Sequence, residues 1–352
     1  MFSDLIILDL STVLAGPSVG TFFAELGARV IKIEHPENLD VTRNWKLPEE
    51  DSKSDVSAYF ASVNYGKEYL KLNLKIEEDR KQFLELVIHA DILVSNFKKG
   101  DEAKFNLSDS FLRNINPKLI CGKINGFGSQ SDRVAYDLIL QAESGFMSMN
   151  GTSESGPVKM PVALIDVLAA HHLKEGLLVA LLRREKDGIG RTVSVSLYDA
   201  ALCSLMNQAS NYLMTGKVAQ RIGSLHPNIA PYGELFQTKD GATITLAIGS
   251  DVHFSKLCKY LNLEELYEDL RFANNTSRVL HRKDLFELLQ DKIQTLNAEE
   301  LLKTLANDFV PAGKVKAIDE VFADQEAAEL IRKETNDGIA TQRVTSIAFK
   351  WE

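Results

Sequence analysis

Asp166 is the residue of this chain whose setting points most directly to chemistry. It lies in Pro161-Val-Ala-Leu-Ile-Asp166-Val-Leu-Ala-Ala, with aliphatic neighbours on both sides. A carboxylate there must be paired, hydrogen-bonded or open to a cleft. Near the start of a helix it meets opposing influences. The helix dipole favours the ionised form, while desolvation raises the pKa and leaves the anion poorly solvated. A carboxylate so placed can attack a thioester carbonyl and carry a covalent intermediate. The same residues also fit a satisfied structural acid, and the pattern alone leaves both readings open. His171 and His172 follow at helical offsets that put them on other faces from Asp166, so they read as packing or surface histidines more readily than as its base.

The second candidate is the first loop, Ser11-Thr-Val-Leu-Ala-Gly16-Pro-Ser-Val-Gly20. It follows an apolar strand and opens a helix, and Glu34 ends the next strand where a ribose-binding acid of a dinucleotide enzyme would stand. The glycine spacing is not that of a GxGxxG fingerprint, whose three glycines let backbone approach a pyrophosphate. Pro17 suits the first helical position, and the helix start at the carboxyl end of a sheet is a site for an anion or a polar ligand.

The elements that must position these residues read as α/β. Strands are expected at 5–10, 29–34, 69–74, 91–94, 119–124 and 192–196, with helices between them, including 77–89 and a long one from Pro161 to about Arg184. Such alternation argues for a large domain with a mostly parallel, Rossmann-like sheet covered on both faces. After Gly216 the pattern changes. Residues 233–237 and 242–247 around Lys239-Asp240-Gly241 have a hairpin signature, followed by helices at about 252–260, 277–295 and 297–307. The expected division is a large α/β domain of residues 1–215 and 325–352, a small α+β domain of 225–310, and linkers at 216–224 and 311–324. Residues 341–349 alternate as a strand does and are expected to return to the large domain.

Composition bounds the rest. The chain has 352 residues, 45% hydrophobic and 25% charged, which suits a large globular core. A net charge of -9 gives no overall attraction for nucleic acid or anionic membranes. The three cysteines, Cys121, Cys203 and Cys258, are far apart and form no metal-binding pattern, so no metal site is expected and reduced thiols in a cytoplasm are. The longest apolar stretch, 162–182, is broken by charges and reads as a buried helix, and the amino terminus lacks the pattern of a signal peptide.

In the order of its motifs the chain resembles the family III coenzyme A transferases. The resemblance runs through Asp9-Leu-Ser-Thr-Val-Leu-Ala-Gly16-Pro17, Leu26-Gly-Ala-Arg-Val-Ile-Lys-Ile-Glu34, Asn64-Tyr-Gly-Lys67, Asn96-Phe97 and Asn125-Gly126-Phe127-Gly128. It continues through Tyr136-Asp137 with Gln141, Asp166, Tyr198-Asp199, Ile229-Ala-Pro-Tyr-Gly233 and Val310-Pro-Ala-Gly313. It implies transfer of coenzyme A from an acyl-CoA donor to a carboxylic acid through an aspartyl thioester on Asp166. It also implies that Val13, Leu14, His35, Leu72, Asn96, Phe97, Lys104, Phe105, Tyr136 and Leu197 line the nucleotide, pantetheine or acyl pocket. His35 and Lys104 stand where arginine is frequent in the family. Coenzyme A is then a substrate rather than a tightly bound cofactor, and the expected assembly is an interlocked homodimer. Where some members have a glycine-rich loop, this chain reads Ala247-Ile-Gly249-Ser-Asp251. Two alternatives share the fold: an acyl-CoA racemase, disfavoured because Tyr136 stands where racemases have a histidine base, and a non-catalytic coenzyme A-binding homologue.

Overall fold

The computed structural model describes residues 1–336 and 338–350. The chain divides into two compact units. The first comprises Met1–Ser148, Lys159–Ala219 and a carboxyl-terminal segment from Ala328; the second comprises Met149–Val158 and Gln220–Ala327.

The first unit is built on six parallel strands: β1 (Ile6–Asp9), β2 (Arg29–Glu34), β3 (Lys67–Lys71), β4 (Ile92–Ser95), β5 (Ile120–Asn125) and β6 (Thr192–Ser196). Their order is β3-β2-β1-β4-β5-β6. Successive side chains alternate between faces, so Ile7 and Val30 enter one core while Leu8 and Ile31 enter the other. The first core is closed by the helices Ala15–Glu25 and Leu164–Asp187 through Phe23, Leu173 and Leu177. The second is closed by Phe83 and Val87 of the helix Glu77–His89. Because both faces are covered, the central strands β1 and β4 read as nearly continuous apolar runs, whereas the edge strands β3 and β6 carry polar residues.

β3 begins at Lys67, two residues before the strand expected from the apolar pattern. Leu72 and Leu74, which suggested the later register, lie in the second core just beyond the strand. Of the 341–349 segment, 341–344 end the second arm of a hairpin, β10 (Ile331–Asn336) with β11 (Ile339–Val344), and 345–349 continue outside any strand. The partner arm β10 is polar and was invisible to an apolar pattern. Glu25 anchors the hairpin to the first unit, accepting hydrogen bonds from Arg343, Thr345 and Ser346.

The second unit contains an antiparallel sheet of β7 (Tyr232–Gln237), β8 (Thr243–Ala247) and β9 (Ala312–Lys314). The stretch 311–324, read as a linker, thus supplies a strand and the helix Ile318–Ala323. The helix expected at 277–295 is two, Asn275–Leu280 and Arg282–Ile293. Asn274 caps the first of them, its side chain accepting from the Ser277 amide, so that helix starts before the expected position. Phe236, Ile244, Phe254, Leu285 and Leu301 form the core. The Ala247–Asp251 stretch leaves β8 and becomes a helix cap, in which Ser250 accepts from the His253 amide at 3.2 Å. No helix among the described residues is long and apolar enough to cross a membrane.

Candidate active site

The strand order reverses between β1 and β4, so the chain leaves these neighbouring strands in opposite directions and opens a crevice at their carboxyl ends. A cleft of about 400 Å³ lies there. Its walls are Thr12–Ala15 after β1, Asn96–Lys99 after β4, Asn125 and Gly126 after β5, Leu197 after β6, and the segment Ser131–Tyr136; Asp166 lines it as well. A Cβ on Gly126 would stand 2.2 Å from that of Ala135, so only glycine lets these two walls meet. Gly16 has the same role beside Ser11, where a Cβ would approach to 2.2 Å.

Of the residues singled out from sequence, Asp166, Val13, Leu14, Asn96, Phe97, Lys104, Tyr136 and Leu197 come together in the cleft. Leu72 does not; it is 3% exposed in the second core, since it continues the β3 backbone past Glu34. Phe105 packs on Phe97, with ring centroids 5.5 Å apart, and stands behind the wall. His35 follows β2 outside the cleft lining, and its Nδ1 accepts from the amides of Glu37 and Asn38 at 3.1 Å. That leaves Nε2 as the imidazole's outward nitrogen. The Asn96 amide group is already engaged, accepting from the Thr12 amide at 3.1 Å and donating to the Thr12 carbonyl at 2.9 Å. Asn96 therefore shapes the wall by holding the first loop.

Asp166 sits in the first turn of the Leu164–Asp187 helix and is 8% exposed. The helix has no side-chain cap of its own. Asp137, at the start of the helix Asp137–Glu143, supplies one from outside, accepting from the Ile165 amide at 2.7 Å and the Asp166 amide at 3.4 Å. Gln141 completes this brace. It donates to Asp137 at 2.6 Å and accepts from the Met160 amide at 2.8 Å. The Asp166 carboxylate accepts no hydrogen bond among the described residues. Desolvation, reinforced by the negative charge of Asp137, pushes its pKa up to about 7. Burial thus outweighs the helix dipole, and near neutrality the group is divided between acid and carboxylate.

The side of the first loop away from the cleft is built differently. Asp9 and Lys67 are wholly buried and paired at 2.8 Å. Glu34, the acid that would meet a ribose in a dinucleotide enzyme, is consumed by Arg43 at 3.0 and 2.6 Å and by the Asp40 amide at 2.9 Å. That pairing removes the last feature of a nicotinamide site. Gly16-Pro17-Ser18-Val19-Gly20 has the spacing of a serine nucleophile elbow, but Ser18 lies inside the helix and donates to the Ala15 carbonyl at 2.9 Å. A nucleophilic serine stands instead on the strand-to-helix turn itself.

Three features escaped the sequence. Tyr59, stacked edge-on against Trp45 at 5.1 Å, lies within the electrostatic reach of the site: burial and the carboxylates Asp166, Asp137 and Asp40 push its pKa up to about 12. Its hydroxyl remains a donor at every working pH. Lys98 and Lys99 join Lys104 at the cleft, with Lys99 paired to Asp132 at 3.3 Å and Lys104 to Asp101 at 2.7 Å; the basic dipeptide after β4 is the signal that could have found them. Arg133 also lines it, stacked 3.8 Å over Phe127 and paired with Glu143 at 2.5 Å.

The switch-point crevice of this open α/β sheet thus holds a desolvated carboxylate and three lysines, of which Lys99 is paired with Asp132 and Lys104 with Asp101. The chain belongs to CoA-transferase family III, whose family pattern it matches over residues 2–351. It is 37% identical to the succinate–glutarate CoA-transferase of Agrobacterium fabrum over 328 residues, covering 92% of this chain and 82% of that protein. It is 36% identical to the acetyl-CoA:oxalate CoA-transferase of Acetobacter aceti over 318 residues, covering 89% and 80%. The crystal structure of a CAIB/BAIF family protein from Brucella suis superposes with a TM-score of 0.84 at 36% identity, covering 98% of this chain and 91% of that one. Enzymes of this family use coenzyme A thioesters as substrates.

Proposed function

We propose that the enzyme moves coenzyme A from an acyl-CoA donor to a free carboxylic acid, with Asp166 as the covalent carrier. The observation that carries this reading is the Asp166 carboxylate at the helix start, desolvated, without a cation partner or a hydrogen bond among the described residues, and facing the cleft. A carboxylate stripped of solvation is a stronger nucleophile than one in water. Its ionised form attacks the donor's thioester carbonyl and expels the coenzyme A thiolate, leaving an acyl–aspartyl anhydride. The thiolate then attacks the Asp166 carbonyl carbon, releases the donor acid as its carboxylate, and leaves an aspartyl thioester. An acceptor carboxylate reverses the sequence: its oxygen attacks that thioester, the thiolate leaves, and the thiolate takes the acceptor acyl group from the new anhydride. Every step exchanges one acyl bond for another, and no net proton is consumed.

In this reading Lys98, Lys99 and Lys104 face the phosphates of coenzyme A, and His35 Nε2 faces the nucleotide at the end of β2. Leu14, Phe97 and Leu197 flank the pantetheine and acyl group. Tyr59 supplies a neutral donor near the reacting carbonyl. Glutarate, succinate or oxalate, acted on by the named relatives, set the class of acceptor to try first. The enzyme is expected to work in the cytoplasm as a homodimer. The helix Met206–Thr215 supports the dimer, because none of its residues is buried and Met206, Leu213 and Met214 are 72%, 78% and 85% exposed. Light scattering coupled to gel filtration tests this, with Leu213→Glu expected to yield monomer.

An oxygen label tests the mechanism. Acceptor acid carrying oxygen-18 in its carboxylate should leave one labelled oxygen on Asp166 per turnover, because the anhydride is cleaved on the acceptor's acyl carbon. Product formation without label in Asp166 would exclude the anhydride path.

A further inference from the structure

Val13, a β-branched residue, sits at a φ of 74° on the lip of the cleft. Valine avoids this region because its side chain crowds the backbone, and such a residue persists only where its surroundings hold it there. Its amide donates to Asp40 at 3.1 Å. Asp40 is itself fixed: it accepts from the Thr42 amide and hydroxyl at 3.1 and 2.7 Å, and its other oxygen is 3.3 Å from Lys32 Nζ. Lys32 in turn donates to the Ser11 carbonyl at 2.8 Å, two residues before Val13. Both charged side chains are wholly buried, and neither touches the cleft.

We propose that Asp40 is a positioning residue for the acyl-CoA site, holding Val13 in its left-handed conformation so that the backbone turns at residue 13 and presents Val13 and Leu14 to the substrate. A buried ion pair spent on one backbone amide is a costly arrangement for a surface loop, and the cleft is what this loop forms. The proposal rests on the reading that the cleft receives acyl-CoA.

The test is steady-state kinetics with acyl-CoA as the varied substrate, together with thermal melting, on Asp40→Asn, Asp40→Asn with Val13→Gly, and Lys98→Ala. Asp40→Asn should raise KM for acyl-CoA about tenfold with kcat changed less than about twofold. Adding Val13→Gly should bring KM back to within about threefold of the starting enzyme, since glycine adopts this backbone conformation unaided. A fall in melting temperature with KM unchanged would reduce Asp40 to a structural residue and overturn the proposal. So would a double variant no better than Asp40→Asn. Lys98→Ala separates the two layers. If it raises KM while Asp40→Asn does not, the site reading stands and the positioning role falls; if neither raises KM, both fall. Should Asp40→Asn fail to fold, Lys32→Met combined with Asp40→Asn removes both buried charges and carries the same outcomes.

Discussion

Asp9 and Asp166 are both aspartates of the α/β unit, and both expose less than a tenth of their surface. Desolvation pushes each carboxyl toward its protonated form, but the outcomes differ. At Asp9 the ammonium groups of Lys67 and Lys32 outweigh the burial, and the pKa falls below its ordinary value. At Asp166 no cation answers, a second carboxylate stands nearby, and the pKa rises to about 7. Burial alone therefore does not mark a functional acid. The absence of a compensating charge is the ground for proposing one, because a protein that leaves a buried acid unpaired gives up stability to do so.

The largest effects test that contrast directly. Asp166→Asn should reduce coenzyme A transfer by more than about a thousandfold. The same variant should be more stable than the parent above neutrality. The folded chain keeps the Asp166 proton to about pH 7, whereas 3.8 is the ordinary value, so ionisation costs stability as pH rises through that window. The expected gain is on the order of 4 kcal/mol at pH 8 and under about 1 kcal/mol at pH 4, read from urea unfolding. Equal stability at pH 8 would mean that Asp166 ionises freely. Asp9→Asn should do the reverse, lowering stability by about 3–5 kcal/mol because Lys67 is left buried without its partner. A variant of Asp9 as stable as the parent would collapse the comparison.

A smaller effect sharpens it. The single-turnover rate of acyl transfer to Asp166 should climb with pH up to about 7 and level off above, as the carboxylate forms. Asp137→Asn removes the neighbouring charge, favours the ionised form, and should shift that rise downward by on the order of one unit. A profile flat from pH 5 to 8 would show that the acid titrates elsewhere. Smallest is the far ion pair at the carboxyl-terminal hairpin. Arg343→Ala should cost about 1–2 kcal/mol in melting experiments and leave kcat/KM unchanged, since Glu25 retains Thr345 and Ser346.

The parallel sheet was legible because its central strands are apolar on both faces and alternate with helices along the chain, and β2 and β6 fall on the expected residues. Asp166 was legible because an acid between aliphatic residues has few explanations. What escaped depended on contacts between distant segments. Asp137 caps a helix that starts 27 residues after it, and no local pattern announces such a cap. Leu72 and Phe105 resemble pocket residues in sequence, yet one lies in the core and the other behind a cleft residue. Tyr59 gave no signal, since its place beside the site is set by the fold of 41–62 and not by its neighbours in the chain. Conversely, Glu34 carried a local signal of another chemistry, and Arg43 accounts for it.

The central claim is that Asp166 itself carries the transferred group. The most direct measurement is mass spectrometry of the protein after incubation with acyl-CoA and rapid quenching in hydroxylamine. The account predicts a hydroxamate on Asp166 that requires the acyl-CoA and disappears in Asp166→Ala. Exchange of coenzyme A between acids with Asp166 unmodified, or deuterium uptake beside the thioester carbonyl in place of exchange, would contradict it.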